Sequence, residues 1–306
     1  MSQLLEPKVA WPDASAQAVR VRVPATLANL GAGFDVFGIA IDAGWEEIAM
    51  ARRPEPGIVI DVEGPGAASL PREVERNVAG RALHRLVPRE GVHVRIRKGV
   101  APAKGLGSSA ASAAGAVLAA DRLFDLRLPR EAQAWFAAQA EASAHMDNVA
   151  AALVGGFTLA VDGELISIPP PRNLAFAIHR PSHELRTAES RLVLPGLVSL
   201  EAFAQAAGRS AAFVHALMRG DLARAGRMAE RSIIDAARTR VVPDLGRMRR
   251  AAKEAGACGV FIAGSGPSVA AMVDLDRADP EEVARAMGPD AFVSRPCGGA
   301  YVVLEA

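Results

Sequence analysis

The chain is short of several things. Among its 306 residues there are two cysteines, Cys258 and Cys297, and neither sits in a C-x-x-C pair. Free buried thiols in a reducing compartment are therefore expected, and nothing else in the sequence supports a bridge between them. The net charge is only +1 and no basic stripe or tail stands out, so nucleic acid is not an expected partner. No apolar run reaches the roughly 20 residues of a membrane helix. The opening MSQLLEPKVAWPDASAQ is mixed and proline-broken, without a signal-peptide core. The expectation is a cytoplasmic protein with no membrane partner, whose residues 1–17 form a flexible tail. What remains is ordinary globular composition, 50% hydrophobic and 23% charged, enough for two domains of about 150 residues each.

The common nucleotide loops are also missing. No G-x-x-x-x-G-K-[ST] occurs, and the one glycine-rich loop lacks the third glycine of G-x-G-x-x-G. That loop lies in Lys98–Phe124, KGVAPAKGLGSSAASAAGAVLAADRLF. Before it, Val92, Val94 and Ile96 alternate with polar residues as in a half-buried strand. After it comes an Ala-rich run that favours helix. Strand, glycine loop and helix in that order make an anion site. The first helical turn has unpaired N–H groups and the positive end of the dipole, and glycine lets backbone approach a phosphate closely. Ser108 and Ser109 can cap the helix or reach a phosphate-bound metal. A capped helix after a flexible loop is the plainer alternative.

Upstream, Val19, Val21 and Val23 mark a first strand. Pro24–Asp42 follows, and Pro24, Gly31 and Gly33 mark it as a structured loop. Its polar Thr26, Asn29 and Asp35 suit turns. They equally suit binding, since a carboxylate fits an ammonium or hydroxyl and an amide both donates and accepts. Strands are predicted at Trp45–Ala51 and Ile58–Val62, and a helix carrying Asn77 over Glu75–Val87. His84 and His93 are read as surface residues. A helix over Pro129–Ala144 carries Glu141; run on, it would put His145 on the same face. Asp147 reads as the N-cap of DNVAAALV. Phe157–Val161 and Glu164–Ile168 form a hairpin around Asp162-Gly163, and the proline run 168–172 divides domain 18–168 from domain 169–306. The second half mixes strands at 173–179, 259–263, 268–275, 291–294 and 300–304 with helices at 198–217, 221–234, 243–256 and 280–287, an α+β layer. A glycine turn, Gly264-Ser265-Gly266, sits between two of those strands.

The string PAKGLGSSAAS resembles the phosphate loop of the GHMP kinases. Four further segments are similar to the homoserine kinase branch of that superfamily: PATLANLGAGFDVFG (24–38), HMDNVAAALVGGF (145–157), LRTAESRLVLP (185–195) and DAARTRVVPDL (235–245). The GSGPS loop resembles the superfamily's third motif. The resemblance implies an α+β, two-domain GHMP kinase fold, with an N-terminal domain like ribosomal protein S5 domain 2 and a ferredoxin-like C-terminal domain. It implies ATP-dependent phosphorylation of the L-homoserine hydroxyl with Mg2+ as cofactor. ATP would be held by Pro102, Ala103, Lys104, Gly105, Leu106, Gly107, Ser108, Ser109, Ala110 and Ala111. The metal would be held by Ser108 or Ser109 together with Glu141. Homoserine would meet Asn29, Asp35, His145, Thr187, Arg191, Arg238, Gly264, Ser265 and Gly266, the two arginines forking onto its carboxylate. Glu141, Asp147 and Asn148 would serve catalysis, with the identity of any base open. Asn77 matches a position near the nucleotide. Another GHMP kinase acting on mevalonate, a sugar or a hydroxy acid, and a non-catalytic binding relative, are the alternatives. A homodimer stays open.

Overall fold

A computed structural model of the chain describes residues 18–141 and 143–303. The expected tail at 1–17 and residue 304 lie outside the described residues. A large sheet comprises β1 (Ala18–Ala28), β2 (Phe37–Arg52), β3 (Gly57–Glu63), β4 (Gly91–Arg97), β5 (Phe157–Val161), β6 (Glu164–Ile168) and β11 (Tyr301–Val303). Its main path runs β11-β1-β2-β4-β3, with β5 and β6 continuing from β2. Among the described strands only β3 and β4 pair in parallel, joined through α1 (Val78–Leu86).

The first strand runs further than expected. Pro24 sits at a register shift where three residues of β2 bulge out, and pairing resumes from Ala25 opposite Ile41 to Ala28 opposite Gly38. A bulge tolerates the missing proline N–H, so the loop shrinks to residues 29–36. His93 also departs from expectation: it is fully buried on β4, its Nε2 2.8 Å from Asp61 Oδ2. His84 is exposed, as expected.

Helix α2 (Ser108–Phe124) runs through the middle of this lobe, with fourteen of its residues buried. Small side chains permit that. A Cβ on Gly115 would come within 2.5 Å of Ile48 and 2.8 Å of Val23. Helix α3 (Arg130–Ala138) is shorter than predicted. Ala140 and Glu141 donate to Ala137 and Ala138, a tightened last turn, and Arg81 from α1 grips the Ala140 carbonyl. Glu141 and His145 therefore do not share a helix face; they lie in the link before α4 (Asp147–Val154).

The second sheet has order β10-β7-β9-β8, from β7 (Leu174–His179), β8 (Gly259–Ile262), β9 (Val269–Asp274) and β10 (Ala291–Ser294). With α6 (Leu200–Met218), α7 (Leu222–Ala229), α8 (Ile233–Arg238), α9 (Leu245–Glu254) and α10 (Pro280–Met287), it has the β-α-β-β-α-β order of a ferredoxin-like layer. Segment 185–195 holds a short helix, α5 (Thr187–Leu192), where a loop was expected. The predicted helix 221–234 is broken, because Ser232 caps a separate α8. One core cluster draws Leu27, Phe37 and Phe157 from the first sheet together with Phe176 and Phe261 from the second and Phe213 from α6.

Candidate active site

A cavity of about 280 Å³ opens where the two sheets' loops meet. Its floor is the loop between β4 and α2. Gly107 is the N-cap of α2, in the left-handed region at φ 72°, and no side chain caps the helix. A Cβ there would sit 1.9 Å from Thr26 Oγ1, so only glycine fits. The first-turn N–H groups of Ser108, Ser109 and Ala110 have no intrahelical acceptor and face a cavity that these three residues line. Backbone bonds fix the loop from both sides: Thr26 N–H donates to Leu106 O at 3.1 Å, and Leu185 N–H to Ala103 O at 3.2 Å.

The two serines part ways. Ser108 Oγ turns inward, donating to Glu46 Oε1 (3.0 Å) and Val100 O (2.9 Å). It is buried and spent, so of the two expected metal-reaching hydroxyls only Ser109 remains. Ser109 is exposed and bonds Glu141. Burial pushes the Glu141 carboxyl up, opposed by that bond and by the charges of Arg81 and Lys98. Among the described residues its Oε1 is buried without a partner. Lys104 lines the cavity, but its ammonium donates to the carbonyls of Pro181 (3.0 Å), Ser182 (2.5 Å) and His183 (2.8 Å). It clasps the loop to the second lobe.

The opposite wall carries charge of both signs. Asn29, left-handed at φ 67°, donates to Gly264 O at 2.8 Å and accepts from Asp35 N–H at 2.9 Å. Its amide thus shapes the loop that presents Asp35. Asp35 Oδ1 meets Arg191 Nη2 at 2.6 Å, and Oδ2 lies 3.3 Å from His145 Nε2. Burial lowers the His145 pKa, with Asp35 pulling the other way. Arg238 is buried and donates to Gly264 O at 2.7 Å. Thr187 and Ser265 hydroxyls lie 3.3 Å apart. Between the two walls, Thr26 Oγ1 donates to Asn148 Oδ1 at 2.7 Å, which fixes the amide's orientation. Asp147 is at the first helical position rather than the N-cap, and accepts from Asn148 N–H at 2.7 Å. Burial, assisted by Asp35 and Glu141, raises its pKa to about 7.

Most expected site residues thus line one cavity; Pro102, Ala111 and Gly266 do not. Asn77 does not either: its side chain accepts from the N–H groups of Ala79 and Gly80 and donates to Pro71 O.

Known proteins resemble the chain in sequence and in fold. The GHMP kinases N terminal domain family matches residues 74–156, and the GHMP kinases C terminal family matches 213–294. A homoserine kinase of Halobacterium salinarum is 38% identical over 273 residues, 88% of each chain. The chain belongs to the homoserine kinases, within the GHMP kinase family. A homoserine kinase of Natronomonas pharaonis is 38% identical over 90% of this chain and 92% of its own. The crystal structure of the Cytophaga hutchinsonii homoserine kinase superposes with TM-score 0.86 at 29% identity, covering 96% of this chain and all of that one. The L. major mevalonate kinase, at 17% identity and TM-score 0.69, shares the fold.

This homoserine kinase family member also carries a buried pair that motif reading missed. Lys98 Nζ lies 2.5 Å from Glu46 Oε1 and donates to Ser112 Oγ (2.9 Å) and Ser108 O (3.3 Å). Burial lowers the lysine pKa and raises the glutamate pKa, each opposed by the other's charge. The pair pins the first turn of α2 from behind. Strand phase carried the signal: Glu46 is in register with inward Ile48 and Met50, and Lys98 with Val94 and Ile96.

Two predictions follow from these buried groups. Lys98→Met should cost about 3–5 kcal/mol in denaturant unfolding because it strands Glu46, and Lys98→Met with Glu46→Gln should recover most of it. Asp147 holds its proton in the native state up to about pH 7, whereas an unfolded carboxyl loses it near 3.8. The unfolded state therefore binds fewer protons between those values, and stability falls as pH rises through the window. Asp147→Asn should raise Tm at about pH 8 and leave it unchanged at about pH 3; equal shifts at both would contradict this.

Proposed function

We propose that the protein transfers the γ-phosphoryl group of ATP to the side-chain hydroxyl of L-homoserine, giving O-phospho-L-homoserine for threonine biosynthesis. The observation that carries this reading is a single cavity with an uncapped helix N-terminus at one end and the Asp35–Arg191 pair at the other. The first suits a polyphosphate. The second suits an amino acid zwitterion, whose ammonium and carboxylate exchange places with the internal partners.

Phosphoryl transfer asks for positioning and charge neutralisation more than covalent chemistry. The N–H groups of Ser108 to Ala110 would receive the phosphates. The orphaned Glu141 Oε1 beside Ser109 fits Mg2+, a hard cation commonly held by one or two protein oxygens plus substrate phosphates. Such an ion neutralises phosphate charge. Among the described residues no cluster of three or more His, Cys, Asp or Glu forms a self-sufficient metal cage, which agrees with that sparse ligation. Arg191 would take the substrate carboxylate, with Arg238 behind it, and Asp35 the ammonium. Asn148, its amide held by Thr26, would orient the hydroxyl. Asp147, with a pKa of about 7, is matched to receive the hydroxyl proton. Domain 18–168 would supply the nucleotide half and 169–306 the arginines. Among the described residues no helix is long and apolar enough to cross a membrane, and the free Cys258 and Cys297 suit a reducing cytoplasm.

An ADP-release assay tests the reading. Homoserine should be turned over and 3-aminopropan-1-ol, which lacks the carboxylate, should not. Arg191→Lys should raise KM for homoserine about tenfold or more while leaving KM for ATP within about twofold. ADP release independent of homoserine, or equal use of both alcohols, would contradict it.

A further inference from the structure

A second cavity, of about 340 Å³, lies behind the substrate loop. Ala206 and Ala207 of α6, Met228 of α7, and Ile233 and Ile234 of α8 form its apolar wall. Phe34 closes the side nearest the active site. The same ring lies 5.4 Å from the guanidinium carbon of Arg191 and 5.6 Å from that of Arg238. Phe34 is thus a partition, with the substrate arginines stacked on it and the second cavity against it.

The rim supplies charge. Arg209 and Arg231 both line the cavity. Arg209 donates to the Arg231 carbonyl at 2.9 Å, which holds the two side by side. Among the described residues neither guanidinium forms a salt bridge. An apolar chamber in the size range of small-molecule sites, with two unneutralised cations at its mouth, is complementary to a compact hydrocarbon tail bearing one anionic head.

We propose that this cavity is a binding site for a small apolar carboxylate, and that its occupancy reaches the active site through Phe34. A ligand pressing on the ring shifts the surface on which Arg191 and Arg238 rest. Differential packing of Phe34 with and without ligand is the coupling element. The link to homoserine rests on the substrate reading above. Binding itself does not, so the two fail separately.

The probe is isocaproate, with isocaproamide as its neutral isostere, titrated calorimetrically into the full chain. Isocaproate should bind at one site per chain, and the amide about tenfold more weakly or worse. Arg231→Gln should weaken isocaproate about tenfold, and Ala207→Trp, which fills the chamber from an exposed helix position, should abolish it. Without probe Arg231→Gln should keep wild-type kcat and KM, while Ala207→Trp, whose indole takes the ligand's place against Phe34, should keep KM for ATP and resemble the probe-bound wild type in KM for homoserine. With probe, KM for homoserine should shift severalfold in wild type and stay fixed in Ala207→Trp, with KM for ATP unmoved. Equal binding of acid and amide, binding insensitive to both variants, or isocaproate that still binds Ala207→Trp and is displaced there by homoserine would overturn the proposal. So would sedimentation showing that a second copy covers this face and excludes the probe.

Discussion

An α-helix that starts without a side-chain cap is the constraint on which the site depends. Helix α2 begins at Gly107, and the serines that follow do not cap it: Ser108 is drawn down to Glu46, and Ser109 outward to Glu141. The open N–H groups at that start would be costly if buried without acceptors. Here they face the cavity, where a phosphate can supply the acceptor. Everything nearby serves to hold that start still. The Lys98–Glu46 pair grips it from behind, Thr26 fixes Leu106 on one side, and Ala103 and Lys104 tie it to the other lobe on the other.

The second consequence is that neither lobe makes the site alone. The aromatic cluster of Phe37, Phe157 and Phe213 fastens the first sheet to α6 of the second lobe. Across that joint, Asn29 from the first lobe and Arg238 from the second both donate to the carbonyl of Gly264. A single oxygen from the β8–β9 turn thus registers the loop at 29–36 against Arg238. The Asp35–Arg191 pair spans the same boundary. Its charges satisfy one another in the isolated protein, so the pocket stays formed while remaining exchangeable for a ligand of matching charges.

How much of this was legible in the sequence varied by physical cause. The glycine-rich loop before α2 was legible because its glycines and the strand–helix change around it are local features. The segments carrying Asp35, Arg191 and Arg238 were found by resemblance and converge on one cavity. The end of α3 was not legible: an Ala-rich run through Ala144 favours helix, and what bends the chain is Arg81, distant in sequence, at the Ala140 carbonyl. Pro24 suggested a loop because a bulge opposite it cannot be read from one strand. Glu46 and Lys98 were passed over because charges in a strand pattern usually face water, although their phase along β2 and β4 pointed inward. Phe34, which lines the second cavity and lies under the two arginines of the first, was not singled out, since an aromatic side chain in a loop carries no local signal of what it packs against.

The most direct test is a crystal structure of the protein with a non-hydrolysable ATP analogue, Mg2+ and homoserine. The account predicts phosphate oxygens within hydrogen-bond range of the Ser108 to Ala110 amides, the metal beside Ser109 and Glu141, and the amino acid between Asp35 and Arg191. A triphosphate bound elsewhere, with those amides still free and the Asp35–Arg191 contact intact, would contradict it.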